Sequence, residues 1–129
     1  MRVLLVDDDK MILKGMSRLL DILQQDCVNA PSGKEALQVI DHQPVDLVIS
    51  DIQMPRMNGF QLAHAIGQVK PDLPVVLITG CIWNDLEERA AEVGVRKILR
   101  KPFKFNDLLE IITEIEDNNR KHETDATKA

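Results

Sequence analysis

The chain of 129 residues is long enough for one hydrophobic core and short for two. With 44% hydrophobic and 29% charged residues it has the composition of a globular protein, and a formal net charge of −5 argues against a surface that clamps nucleic acid through clustered positive charge. No apolar run approaches the roughly 20 residues of a membrane span, and the N-terminal MRVLLVDDD turns acidic too early for a secretory signal. Cys27 and Cys81 lack metal-ligand spacing and read as free thiols in a reducing cytoplasm, so a cytoplasmic location is expected.

Residues 3–6 form a short apolar run that ends on Asp7, Asp8 and Asp9. Met11, Ile12, Met16, Leu19, Leu20 and Leu23 recur at helical spacing and predict an amphipathic helix over 10–24, with Asp9 as its cap. Residues 27–30 are a weak strand candidate, and Ser32 with Glu35 matches a capping box for a second helix that ends before Pro44. Residues 47–49 are a third apolar run. It leads into Ser50-Asp51 and a loop punctuated by Pro55, Asn58 and Gly59. Phe60, Leu62, Ala63 and Ile66 follow as a helix, and residues 75–78 are the most β-prone run, ending at Thr79-Gly80. Asn84 with Glu87 predicts the next helix start, and Gly94 its end. A short strand over 95–99 stops at Lys101-Pro102-Phe103. Asn106 is then expected to cap a last helix with Leu108, Leu109, Ile111, Ile112 and Ile115 inward. From Asn118 the chain is polar, so the reading is a domain over 1–117 and a disordered tail over 118–129.

Five strands alternating with five helices predict an α/β fold: one parallel sheet, doubly wound, with helices on both faces. In such a sheet the carboxyl ends of the strands lie on one rim, where ligands bind. Asp7, Asp8 and Asp9 end the first strand, Asp51 the third, Thr79 the fourth, and Lys101 stands near the end of the fifth. Each residue alone has a bland reading: helix-start charge for the first acids, strand propensity for Thr79, a solvated loop lysine for Lys101. Crowded like charges are costly, and a rim of carboxylates is relieved by a hard cation, Mg2+ above all. A carboxylate nucleophile, a metal, a lysine and a hydroxyl together suit phosphoryl transfer.

These motifs in this order resemble the receiver domain of two-component response regulators: Asp7-Asp8, the segment DLVISDIQMPRMNG around Asp51, LITG with Thr79, and KPF with Lys101. The resemblance implies a flavodoxin-like fold of five parallel strands in the order 2-1-3-4-5. It implies that Asp51 accepts a phosphoryl group from a phosphohistidine on a sensor histidine kinase or phosphotransfer protein. It implies that Mg2+ is bound by Asp8, Asp51 and the backbone carbonyl of Gln53, with Asp7 acting through a metal-bound water. Thr79 and Lys101 would contact the phosphoryl group, and the Lys101–Pro102 bond would be cis. The chain would then be a phosphoprotein switch and not an enzyme, catalysing only its own phosphorylation and dephosphorylation. A surface around Gly80, Trp83, Ile98 and Pro102 would be read by an output protein, with phosphorylation-dependent dimerisation as one outcome and no direct nucleic-acid or membrane contact. Gly80 leaves little bulk beside Thr79, so water-driven loss of the phosphoryl group is expected.

Two features depart from that family. Receivers usually carry Tyr or Phe three residues before the lysine, where this chain has Ile98, and it has no tyrosine at all. No helix-turn-helix or enzymatic segment follows the last apolar helix residue, so a single-domain regulator or an excised receiver is expected. Two rival readings differ in class. A haloacid dehalogenase-like phosphatase would use Asp7 as nucleophile in the formal D-x-D of Asp7 to Asp9, but Lys10-Met11 follows and the Asp51 segment goes unexplained. A phosphorylation-independent binding module would not need all five site residues.

Overall fold

In the computed structural model, which describes the backbone of residues 1–128 and the side chains of residues 1–120, five strands and five helices alternate along the chain. They are β1 (Arg2–Val6), α1 (Lys10–Ile22), β2 (Asp26–Ala30), α2 (Gly33–His42), β3 (Leu47–Asp51), α3 (Gly59–Val69), β4 (Val75–Thr79), α4 (Leu86–Glu92), β5 (Lys97–Arg100) and α5 (Phe105–Lys128). The strands pair in parallel in the order β2-β1-β3-β4-β5. This is the doubly wound sheet that the alternation predicts.

The central strands are continuous apolar runs because both of their faces are covered. Side chains alternate between faces along each strand. Leu4, Val6, Val48, Val75 and Leu77 therefore join Ala36, Ile40, Leu62, Ile66, Leu86 and Ala90 in one core layer, beneath α2, α3 and α4. Val3, Leu5, Leu47, Ile49, Val76 and Ile78 pack on the other side against Leu13, Met16 and Leu20 of α1 and Leu108, Ile111, Ile112 and Ile115 of α5. Each large side chain buried this way contributes about 1.5–3 kcal/mol of transfer free energy, so the rim stands on a stiff platform. β2 reads weakly in sequence because it is an edge strand with Asp26 and Asn29 exposed.

Helix ends mostly follow the sequence. The Asp9 carboxylate accepts the Met11 N–H, and the Ser32 hydroxyl accepts the Glu35 N–H, although the Glu35 side chain does not return the bond that would complete the expected capping box. Gly94, at φ +74°, closes α4. Three expectations are corrected. Asn84 does not cap α4: the residue before the helix is Asp85, held at φ 58°, ψ 29° with no side-chain cap bond. Asn106 lies inside α5, whose start is closed by the Asp107 carboxylate accepting the Lys104 N–H at 2.8 Å. Met11 and Leu109, at 76% and 38% exposure, face solvent, because the covered stripes of α1 and α5 are narrower than their apolar content. The backbone of α5 extends to Lys128; of the expected tail, side chains from 121 and residue 129 entirely lie outside the described residues.

Candidate functional site

Sheet register sets the site. Val6 pairs with Ser50, Asp51 with Ile78 and Thr79 with Arg100, so β1, β3 and β4 deliver their last residues to a common level. Backbone bonds continue past the strand ends: Asp7 N–H to Ala30 C=O, Ile52 N–H to Ile78 C=O and Lys101 N–H to Thr79 C=O, at 2.8–3.2 Å. They hold the first loop residues where the strands leave them.

A second constraint lies behind Asp51. The Gly59 N–H donates to the Ile52 carbonyl at 2.9 Å, which draws the start of α3 against the end of β3. A Cβ at Gly59 would stand 2.7 Å from the Asp51 carbonyl oxygen and 2.9 Å from Ile52 Cα. Only glycine allows this approach. Asn58 and Gln61 make a full reciprocal capping box at the same point. The buried Ser50 hydroxyl donates to the Asp51 carbonyl at 2.9 Å.

Asp7, Asp8 and Asp51 each present a carboxylate oxygen within 4.8 Å of the other two. Asp7 is 5% exposed, and one of its oxygens accepts the Asp9 N–H at 2.9 Å. Lys101 Nζ lies 3.8 Å from Asp51 Oδ1, the amine partly and the carboxylate largely shielded from water. Lys101–Pro102 is a cis peptide bond. Burial pushes the Asp51 carboxyl above its ordinary pKa; Lys101 and the Ile52 amide pull it back, and Asp8 adds to the rise. Burial also raises Asp7, opposed by the Asp9 N–H and Lys101 and reinforced by the charges of Asp51 and Asp8. Three carboxylates face one amine, a set short of positive charge.

Thr79 is 2% exposed, and its hydroxyl is fully engaged. It donates to the Cys81 carbonyl at 3.2 Å and accepts both the Cys81 N–H at 3.1 Å and the Trp83 indole N–H at 3.0 Å. The Trp83 ring meets Phe60 edge-on, centroids 5.8 Å apart, and Arg89 lies over both rings. Gly80 is exposed, and a Cβ there would meet the Lys101 side chain at 3.7 Å, an ordinary contact. The Gln53 side chain is exposed and accepts from the Cys81 thiol at 3.2 Å. Ile98 pairs with Leu77 and packs, partly buried, on the α2–α3–α4 side of the sheet.

Asp7, Asp8, Asp51 and Lys101 thus come together at one pole, with Thr79 at the adjoining strand end, while Asp9 is spent on capping α1; Trp83 bonds to Thr79, and Ile98 packs in the apolar layer under α2, α3 and α4. In the sequence Gly59 reads only as a turn residue, and no motif announces the bond from Trp83 to Thr79. The first was detectable in principle, as a glycine opening a helix beside the acid. The second depends on a loop fold that no spacing rule encodes.

Comparison with known proteins agrees with this geometry. Residues 3–113 match the response regulator receiver domain family, and the chain belongs to that family. It is 41% identical over 102 residues to the transcriptional regulatory protein GlrR of Escherichia coli K12, covering 78% of this chain and 22% of that protein. It is 35% identical over 112 residues to the transcriptional regulatory protein PdtaR of Mycobacterium tuberculosis, covering 86% of this chain and 54% of that protein. The chain therefore spans between about a fifth and about half of these relatives. In structure it is similar to a CheY-like response regulator receiver domain protein of Methanospirillum hungatei, with a TM-score of 0.88, 28% identity, and 94% and 97% of the two chains covered. No helix among the described residues is long and apolar enough to cross a membrane.

Proposed function

We propose that Asp51 is the phosphoacceptor of a two-component signalling switch. The observation that carries this reading is the grouping of the Asp7, Asp8 and Asp51 carboxylates within 4.8 Å of one another, with Lys101 Nζ 3.8 Å from Asp51. The Asp51 carboxylate oxygen would attack phosphorus of a phosphohistidine on a sensor kinase or phosphotransfer protein. The P–N bond breaks, its electron pair stays on the imidazole, and an aspartyl phosphate remains. Lys101 stands where it can offset the added charge, which is about −1.5 to −2. Thr79 can donate to a phosphoryl oxygen once its proton leaves the Cys81 carbonyl. Asp7 is the poorer nucleophile, being buried and bonded to the Asp9 N–H, which disfavours the phosphatase reading.

The donor set fits a hard divalent cation, since it is all oxygen, carries three carboxylates and is short of positive charge. Asp8 and Asp51, with the Gln53 carbonyl, would hold Mg2+ directly and Asp7 through water. When bound, the ion supplies charge neutralisation of the carboxylates and phosphoryl oxygens. Loss of the phosphoryl group by attack of water on phosphorus regenerates the Asp51 carboxylate. The surface beyond Thr79 would then be read by an output protein or by a second copy of the chain.

The test is incubation with acetyl phosphate, with and without Mg2+, followed by intact mass. One phosphoryl group should appear in Mg2+ only, and none in Asp51→Asn. An adduct of the same stoichiometry in Asp51→Asn, or labelling mapped to Asp7, overturns the assignment. Size measurement with and without beryllofluoride reports whether a second copy is the reader.

A further inference from the structure

A threonine hydroxyl has one proton and two lone pairs. At Thr79 the proton goes to the Cys81 carbonyl, and the lone pairs are taken by the Cys81 N–H and the Trp83 indole N–H. Nothing is left for a ligand. To donate to a phosphoryl oxygen, the hydroxyl must turn out of this arrangement, and the bond from Trp83 must then break or Trp83 must follow it.

Trp83 is the chain's one tryptophan, and there is no tyrosine. Its ring is partly buried and braced by Phe60 of α3 at an interplanar angle of 83°. The guanidinium carbon of Arg89, on α4, lies 4.3 Å from the Phe60 centroid and 5.3 Å from that of Trp83. Such a cation over two rings ties the indole to the body of the helix. Ile98 belongs to the same apolar layer but has no polar atom with which to sense Thr79.

We propose that Trp83 is a positioning residue that latches Thr79 in its resting orientation, and that release of its indole N–H carries the state of Asp51 to α4 through Arg89. This rests on the reading of Asp51 as phosphoacceptor. The latch holds because an indole N–H that loses its acceptor in a half-buried setting is penalised. The same bond opposes the active orientation of Thr79, so removing it favours ligand at Asp51. The hydroxyl, the indole and the guanidinium form one chain of contacts from β4 to α4, and no movement at Ile98 is required.

Beryllofluoride with Mg2+ is the probe, since it reports on the site without turnover. Trp83→Phe keeps a ring against Phe60 and Arg89 but removes the N–H donor. It should bind beryllofluoride about three- to tenfold more tightly than wild type, the effect of one net hydrogen bond. Independently, the single indole N–H resonance of the wild-type protein should move on adding beryllofluoride and Mg2+. It should move in the same direction in ligand-free Thr79→Val, where the acceptor is gone. Equal or weaker binding by Trp83→Phe overturns the latch. So does an indole resonance that stays in place while resonances around Asp51 shift, and that measurement needs no variant. If wild type and Asp51→Asn respond to beryllofluoride alike, the reading of Asp51 fails and the latch falls with it.

Discussion

At the scale of single residues, the acid pocket works against the fold that carries it. Asp7 titrates above its ordinary value because it is buried beside Asp51 and Asp8. A carboxyl whose folded pKa is raised contributes its stability in the protonated form. That contribution is complete below the unfolded pKa and is lost as pH rises through the folded one. At neutral pH Asp7 is therefore a cost, and Asp7→Asn, whose amide oxygen can still accept the Asp9 N–H, should melt a few degrees higher than wild type. The gap should close as pH falls through the raised Asp7 pKa, where wild type is neutral at this position too. Thermal melts of both proteins from neutral to acid pH check this; a variant less stable than wild type at neutral pH would refute it. Gly59 shows the opposite economy, a residue chosen for the absence of a side chain. With backbone atoms 2.7–2.9 Å from where its Cβ would lie, Gly59→Ala should destabilise by about 1–3 kcal/mol, as overpacking does. It should also displace Asp51, so acetyl phosphate labelling falls more than folding alone accounts for. Denaturant unfolding and labelling of the same preparation separate the two effects.

At the scale of elements, the legible features were those in which chemistry and periodicity agree. β1, β3 and β4 could be read because strands covered on both faces are uninterrupted apolar runs, and the residues that end them are polar and conspicuous. The strand order was not in the periodicity; it came with the family resemblance. Cap signals in the sequence fail where a side chain of the right type is not in the right conformation. Asn84 and Asp85 are both capable caps, and the left-handed backbone at Asp85 (φ 58°) leaves neither in use. At α5 the Lys104 N–H donates forward to the Asp107 carboxylate, so Asn106 is left inside the first turn. The capping box that does form, Asn58 with Gln61, fixes the end of the loop leaving Asp51. Asn58→Ala should cost about 1 kcal/mol and raise amide exchange over residues 53–58, while α1 and α5 are unaffected. β5 is tied to its neighbours by exposed pairs, Lys97 to Glu114 and Arg100 to Glu87. Such pairs add little stability, so α4 is held chiefly by Leu86, Ala90 and the Arg89 stack. So light a hold on α4 is what the proposed route from Trp83 requires.

At the scale of the molecule, two apolar layers secure a sheet whose rim gathers negative charge at one pole of an already acidic chain. The core supplies the free energy that keeps the carboxylates together, and a cation at the rim would return part of it. Binding to the folded state alone stabilises by RT ln(1 + [L]/Kd), about 1.4 kcal/mol when the ligand stands at ten times its Kd. For a domain of this size that is a rise in Tm of roughly 3–6 °C. Mg2+ should therefore raise the melting temperature of wild type in a saturable manner at constant ionic strength. In Asp51→Asn and Asp8→Asn the Mg2+ increment should shrink or vanish. Asp51→Asn should nevertheless begin from a higher Tm without Mg2+, because one of the crowded charges is gone. The two halves are linked: the charge repulsion relieved by amide substitution is the same repulsion that a bound cation would relieve. A wild-type Tm that ignores Mg2+, or an Asp51→Asn protein that is less stable without Mg2+ yet gains the full increment with it, would show that these carboxylates are not acting as one electrostatic unit.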